Sequence, residues 1–174
     1  MTESETGLRT RLIEVGVDLV TREGTSALSL REIARRAGVS HGAPRRYFPT
    51  HLALLSAIAR RGFADLTVAI TEEIARAEPT PRGHLAALGR VYLDFARSNP
   101  GMFDLMFRHD LLESNHLGLR ETALPLFDLL VDLVARVRVG GSAPPPVVAA
   151  ALWANLHGVA QLWGWGSLQL ATGT

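Results

Sequence analysis

Apolar residues recur at helical spacing along nearly the whole chain, and the repeats break at glycine, proline and small capping residues. Leu8, Leu12, Gly16, Leu19 and Val20 form the first stripe and predict a helix over residues 8–22, stopped by Gly24. Ser29 then stands as an N-cap with Glu32 three residues on, the two halves of a capping box. Leu30, Ile33, Ala34 and Ala37 follow on one helix face. Gly38 ends that helix, because glycine enters the left-handed region without a Cβ clash, and Val39 plugs the corner. Ser40 is placed to cap a second short helix carrying His41, Arg45, Arg46 and Tyr47, with Phe48 turned inward.

Further along, Pro49-Thr50 breaks the chain, and Thr50 can cap a long helix over 51–77 whose apolar positions are Leu52, Leu55, Ala59, Phe63, Leu66 and Ile70. Thr80-Pro81 supplies a cap and a first helical residue for a helix reaching Ser98. Asn99-Pro100 repeats that signal ahead of a short helix, GMFDLMFRH, and Ser114-Asn115 reads as a helix break. Residues 117–138 give another periodic helix, interrupted by Pro125; GGSAPPP at 140–146 reads as a surface loop. The last periodic helix covers 145–163 and ends among the glycines of WGWGS, so the closing LQLATGT stands where a further helix would begin. No stretch alternates with period two and no internal repeat appears. The fold expected is all-α.

The stretch from Leu28 to His51 has its own logic. A helix, a glycine turn and a short basic helix make the helix-turn-helix pattern, whose second helix enters the DNA major groove. This predicts an N-terminal three-helix DNA-binding domain over residues 1–50 and a separate C-terminal helical body over 51–174. Ser40, His41, Gly42 and Ala43 fall in the first turn of the recognition helix, where small residues let the backbone approach base edges and Ala43 suits a thymine methyl. Arg45, Arg46 and Tyr47 can donate to phosphates, or an arginine can bridge guanine O6 and N7. Ser29 and Arg31 join the candidate DNA-contact set. Pro44 has no N–H to give the Ser40 carbonyl, so the first turn is expected to be loose or shifted. The plainer reading, a solvated helix with chance arginines, leaves the flanking caps and turn unexplained.

Composition adds three points. The 174 residues suffice for one domain, or a small and a medium one, and at 47% hydrophobic they can build a packed core. With no cysteine there is neither a disulfide framework nor a thiolate metal site. The opening MTESETG lacks the basic start and apolar run of a signal peptide, and no apolar run reaches the roughly 18 residues of a membrane helix. The longest candidate, 147–170, contains Asn155, His157, Gln161 and Gln169. A cytoplasmic location without membrane attachment is expected. The net charge of +1 conceals an asymmetry: residues 1–61 hold ten arginines against six acids, and residues 62–174 eight arginines against eleven acids. A basic end on an acidic body suits DNA contact at that end. All eighteen basic residues are arginine, for which a GC-rich coding bias is the plainer explanation.

With REG at 22–24, SLREIA at 29–34, AGVS at 37–40 and RRYF at 45–48, residues 8–63 resemble the DNA-binding domain of the TetR family of bacterial transcriptional regulators. The remainder is loosely similar to that family's helical ligand and dimerisation domain, and WANLHG at 153–158 resembles the Trp/His-Gly pattern of one subgroup. The resemblance implies a homodimer that binds a pseudo-palindromic double-stranded DNA operator and acts as a repressor released by a small apolar effector, with no cofactor and no enzymatic activity. It also implies a dimer interface from the last two helices, so either a further helix follows LQLATGT or this subgroup pairs differently. Two positions depart from the pattern. Arg45 stands where the family usually has Tyr, and His51 where it has Lys; both positions typically touch phosphate. Arg45 suits that role, whereas an uncharged His51 is left with hydrogen bonding or helix capping.

Candidate chemistry in the body is sparse. Phe95, Met102, Phe103, Met106, Phe107, Phe127 and Trp153 are core residues by default, yet such soft and aromatic side chains can also line an apolar ligand cavity. His157 and Gln161, each one turn from its neighbour in the Trp153–His157–Gln161 series, are the polar candidates within it; the bland alternative for His157 is a packed or interface histidine. His109, Glu113 and His116 have the spacing of a metal site, but the break at Ser114-Asn115 argues against one, and no metal or cofactor is expected. No Ser-His-Asp set, glycine-rich phosphate loop or carboxylate pair supports an enzyme. The rival class is an effector-independent, architectural DNA-binding module.

Overall fold

Residues 3–137 and 143–173 are described by the computed structural model, with side chains from residue 7 onward. The first helix, α1 (Glu3–Glu23), ends where Gly24 takes φ 79°. A 3₁₀ turn over Thr25–Ala27 leads into α2 (Leu30–Arg36). Ser29 is extended and its hydroxyl accepts the Glu32 N–H at 3.1 Å, the cap read from the sequence. Gly38, at φ 67°, turns the chain so that the Val39 N–H returns to the Ala34 carbonyl at 3.0 Å and the Gly38 N–H to Arg35 at 3.2 Å.

Next comes α3 (His51–Arg76), capped by the Thr50 hydroxyl on the Ala53 N–H at 3.0 Å. The Thr80 hydroxyl does the same for the Gly83 N–H, also at 3.0 Å, at the start of α4 (Pro81–Ser98). Short helices α5 (Pro100–Met106) and α6 (His109–Ser114) follow, then a 3₁₀ turn over His116–Gly118, α7 (Leu119–Val137), α8 (Pro145–Gly164) and α9 (Ser167–Thr172). Among the described residues there is no strand, and the fold is all-α.

Three expectations change. The predicted recognition helix is a single 3₁₀ turn, Ala43–Arg46. Pro44 cannot supply the N–H that would close an α-turn on Ser40; instead the Ala43 N–H bonds the Ser40 carbonyl at 3.0 Å, and Ser40 enters through its backbone rather than as a side-chain cap. The head therefore has two α-helices and a turn where three helices were expected. Pro125 lies inside α7 without breaking it: the carbonyl it leaves without a helix donor belongs to Glu121, on an exposed residue that water can reach. Of the predicted loop 140–146, residues 140–142 lie outside the described residues, while Pro145 and Pro146 already open α8, where a missing N–H is harmless. Where a further helix was expected to begin, part of LQLATGT is helical, as α9, after Gly166 turns the chain at φ 75°.

Packing divides the chain into two compact units. One comprises Met1–Phe63 and Asn99–Thr122. Its interior holds Leu12 and Leu19 of α1, Ile33 of α2, Phe48 ahead of α3, Leu54 and Ile58 in the first turns of α3, and Leu105 and Met106 of α5, all at 0% exposure. Gly16 lets α1 lie against α3, since a Cβ there would run into the Ile58 side chain. Gly101 does likewise for α5, beneath which lies the Val20 carbonyl. The other unit comprises Ala64–Ser98 and Ala123–Thr174. There Ala87, Leu88, Tyr92 and Ala96 of α4 are buried, as are Leu130, Leu133 and Val134 of α7 and Ala149 of α8. No helix among the described residues is long and apolar enough to cross a membrane.

Candidate nucleic-acid interface and helical body

Charge in the head is partly committed to the protein itself. Glu32 accepts from Arg35 at 2.6 and 2.8 Å and from Arg36 at 2.8 Å, while Arg36 also reaches Glu23 at 2.6 Å. The hydrogen bonds from Arg35 and then Arg36 hold the Glu32 carboxyl down at about 2. Arg31, on the first turn of α2, is exposed and outside this network, and the Ser29 hydroxyl is used as the cap.

The recognition turn is anchored from below. Pro44 and Phe48 are buried, and the Pro44 carbonyl accepts the N–H groups of Tyr47 at 3.0 Å and Phe48 at 2.8 Å. With those two inward, Ser40, His41, Gly42, Arg45 and Arg46 are exposed, and Ala43 and Tyr47 are half-buried. The Arg9 guanidinium sits over the Phe48 ring, 5.3 Å from its centroid. His51 finds a protein partner: its Nε2 lies 2.7 Å from the Leu28 carbonyl, which can only accept, so Nε2 carries the hydrogen. The imidazole thus ties the start of α3 to the chain just ahead of α2. The ten candidate DNA residues fall into two groups, an exposed row at 40–46 with Arg31 and Tyr47, and two residues, Ser29 and His51, engaged in holding the head together.

The candidate ligand residues also separate into two groups. Met102, Phe103 and Met106 are buried in the first unit, where Gly62 of α3 admits both Met sulfurs. The half-buried Phe107 packs edge-on to Phe63, centroids 5.5 Å apart, and against Phe103 at 4.9 Å. In the second unit Phe127, Trp153 and His157 form a chain of rings spaced 6.1 and 5.9 Å apart. Phe95 and Gln161 are half-buried on α4 and α8.

Tyr92 organises this second group. Its hydroxyl accepts the Trp153 Nε1–H at 3.1 Å, because an indole nitrogen is a donor only, and lies 2.8 Å from His157 Nδ1. Burial pushes the Tyr92 phenol well up and the His157 imidazole down, so both stay neutral near pH 7. Sequence reasoning missed Tyr92, which occupies an ordinary apolar position in α4. The available signal was its polar tip: a buried Tyr needs a partner.

A groove of about 210 Å³ in the same unit is lined by Leu93, Asp94, Ala96, Arg97, Val159, Ala160 and Trp163, none of them among the candidate ligand residues. His109 and Glu113 stand 3.7 Å apart on open surface. Among the described residues no group of His, Cys, Asp and Glu is arranged to hold a metal.

The helix α2, the left-handed turn at Gly38 and the exposed basic 3₁₀ turn after it define a helix-turn-helix protein. Residues 12–58 match the family described as bacterial regulatory proteins, tetR family, and residues 85–174 match the tetracyclin repressor-like C-terminal domain. The chain belongs to the TetR family of bacterial regulatory proteins. It is similar to the nucleoid occlusion factor SlmA of Actinobacillus pleuropneumoniae serotype 5b, with 31% identity over 103 residues, 59% of this chain and 50% of that one. It is also similar to the HTH-type transcriptional regulator BetI of Pectobacterium carotovorum, with 34% identity over 92 residues, 52% of this chain and 47% of that one. The chain thus spans about half the length of these curated relatives. A solved protein of unknown function from Rhodococcus sp. RHA1 is 32% identical, with a TM-score of 0.81, over 93% of this chain and 85% of that one.

Proposed function

We propose that the protein is a homodimeric, sequence-specific DNA-binding transcriptional regulator of the cytoplasm, a repressor released by a small apolar ligand and not an enzyme. The observation that carries the reading is the exposed row Ser40, His41, Gly42, Arg45 and Arg46, borne on a turn whose Pro44 and Phe48 are buried. Exposed donors on a buried pedestal suit a groove ligand, and the likeness to BetI favours a transcriptional role. Residues 1–50 act as the DNA-reading domain and 51–174 as the ligand and dimerisation domain in this scheme. Within the body, the Tyr92–His157–Trp153 set and Phe127 offer an aromatic wall with polar atoms, which suits an apolar ligand with one or two polar groups. The ligand would act by binding one of two conformations more tightly.

Likeness to a nucleoid occlusion factor favours a second reading, an effector-independent DNA-binding module. Competition between selected and random duplexes at fixed salt separates the two. A regulator discriminates by about 10³-fold or more, and a ligand that quenches tryptophan emission weakens its binding to the selected duplex. Equal affinity for all duplexes with no ligand response would establish the second reading.

A further inference from the structure

We propose that Arg9, on α1 and outside the helix-turn-helix, is a DNA-phosphate contact, with Phe48 as the pedestal that aims it. The inference rests on the DNA reading above and adds a residue and a helix to it. Phe48 has no exposed surface, although it directly follows the recognition turn, and the guanidinium that covers its ring is that of Arg9, 5.3 Å from the centroid. Cation–ring attraction engages the charge of Arg9 but none of its five N–H donors. Most other arginines spend those donors on the protein: Arg22 on Asp18, Arg35 and Arg36 on Glu32, Arg60 on the Leu117 carbonyl, Arg108 on Asp110. Among the described residues none takes a hydrogen bond or an ion pair from Arg9.

Its place is fixed from both sides. The Phe48 N–H bonds the Pro44 carbonyl at 2.8 Å, so the ring under Arg9 is joined to the residue at the heart of the recognition turn. A half-buried, fully charged side chain beside that turn, with its forked donors uncommitted, has the chemistry to grip a phosphodiester and carry no base information. The stacked position also restricts the side chain before DNA arrives, which reduces the ordering lost on binding.

The test uses the full chain and labelled duplexes over a salt series, with Arg9→Gln and Arg9→Lys. Arg9→Gln should weaken selected and random duplexes by the same factor and lower the slope of log affinity against log salt by about 1 per protomer. Arg9→Lys keeps the charge and should keep the slope. Equal slopes in all three proteins overturn the proposal, including the case where Arg9→Gln merely lowers affinity, which would mean positioning alone. Because removing Arg9 uncovers Phe48 and could impair folding, the wild-type protein supplies a second measurement. Phenylglyoxal modification, read by mass spectrometry, should show Arg9 and Arg46 protected over the same range of duplex concentration. Protection of Arg46 without Arg9 sinks the contact but leaves the DNA reading standing. Protection of neither, with no duplex bound at low salt, sinks both.

Discussion

The two compact units differ in how completely they bury what they are made of. Among the described residues, the first seals Leu12, Leu19, Ile33, Phe48, Leu54, Leu55, Ile58, Phe63, Leu105 and Met106 from solvent and leaves Leu117 exposed. The second seals Leu66 and Ile70 to that degree and leaves Val147, Trp153, Val159, Leu162, Trp163, Trp165 and Leu170 substantially exposed, Leu170 at 87%. Scattered exposed apolar residues are ordinary, but a concentration of them on α8 and α9 is not. The first unit has a core finished within one chain. The second carries surface that a partner copy or a ligand can cover, which suits the body proposed to do both.

Truncation is the most forceful way to break that contrast. Phe48→Ala should cost about 3–5 kcal/mol, since it empties a sealed site. Trp163→Ala, on open surface, should stay within about 0.5 kcal/mol for the monomer while weakening self-association. Urea unfolding and sedimentation of both variants decide the matter, and comparable losses of monomer stability would erase the distinction.

Glycines give a second comparison. A side chain at Gly101 would meet the Val20 carbonyl and the Gly24 Cα at 3.1 Å, backbone that cannot step aside. Gly101→Val should therefore cost about 1–3 kcal/mol. At Gly158, inside α8, a Cβ would meet nothing within 4 Å, so Gly158→Ala should stabilise by about 0.5–1 kcal/mol through helix propensity alone. Thermal midpoints of the pair moving in the same direction would contradict this account.

The hydrogen-bonded set in the second unit sharpens the picture further. Tyr92→Phe should cost on the order of 1 kcal/mol by orphaning the Trp153 N–H and His157 Nδ1. Burial lowers the His157 pKa from 6.5, so between its folded and unfolded values the unfolded chain binds more protons. Stability from this group is present above pH 6.5 and is lost as pH falls through the lowered folded value. Denaturant titrations followed by tryptophan emission should show that slope, and His157→Gln should remove it. A slope that persists in the variant would assign it elsewhere.

The smallest effect belongs to Glu32. Its folded value near 2 lies below the ordinary 4.5, so its contribution is present above pH 4.5 and disappears as pH drops toward 2. Because the group is half-buried and open to solvent screening, the difference between wild type and Glu32→Gln should be small at pH 6 and vanish by pH 2. A difference that grew on acidification would reverse the assignment.

Much of this architecture was legible because its signals are local. Ser29, Thr50 and Thr80 cap the helices expected of them, Gly24 and Gly38 take the left-handed turns, and α3 ends within a residue of the predicted boundary. What the sequence hid depends on partners distant along the chain. Pro44 signalled a disturbed first turn, but not that its ring and that of Phe48 would be buried beneath a single 3₁₀ turn. Tyr92 and His157 are 65 residues apart, and no periodicity announces that their polar tips will meet. Arg9 sits half-buried on α1 and gains meaning only from the ring beneath it. The candidate ligand residues looked like one aromatic set because composition carries no address; packing sends them to two interiors.

One consequence of the buried Pro44 concerns how such a protein changes over generations. A recognition helix must keep its own hydrogen-bonded turns, so each reading residue also serves secondary structure. Here the turn is pinned by Pro44, Phe48 and the His51–Leu28 bond, and the outward positions 41, 45 and 46 have little structural duty. Mutational drift at those three sites is thus largely uncoupled from foldability. Under the DNA reading, new operator preferences can be sampled one substitution at a time by lineages that remain folded throughout.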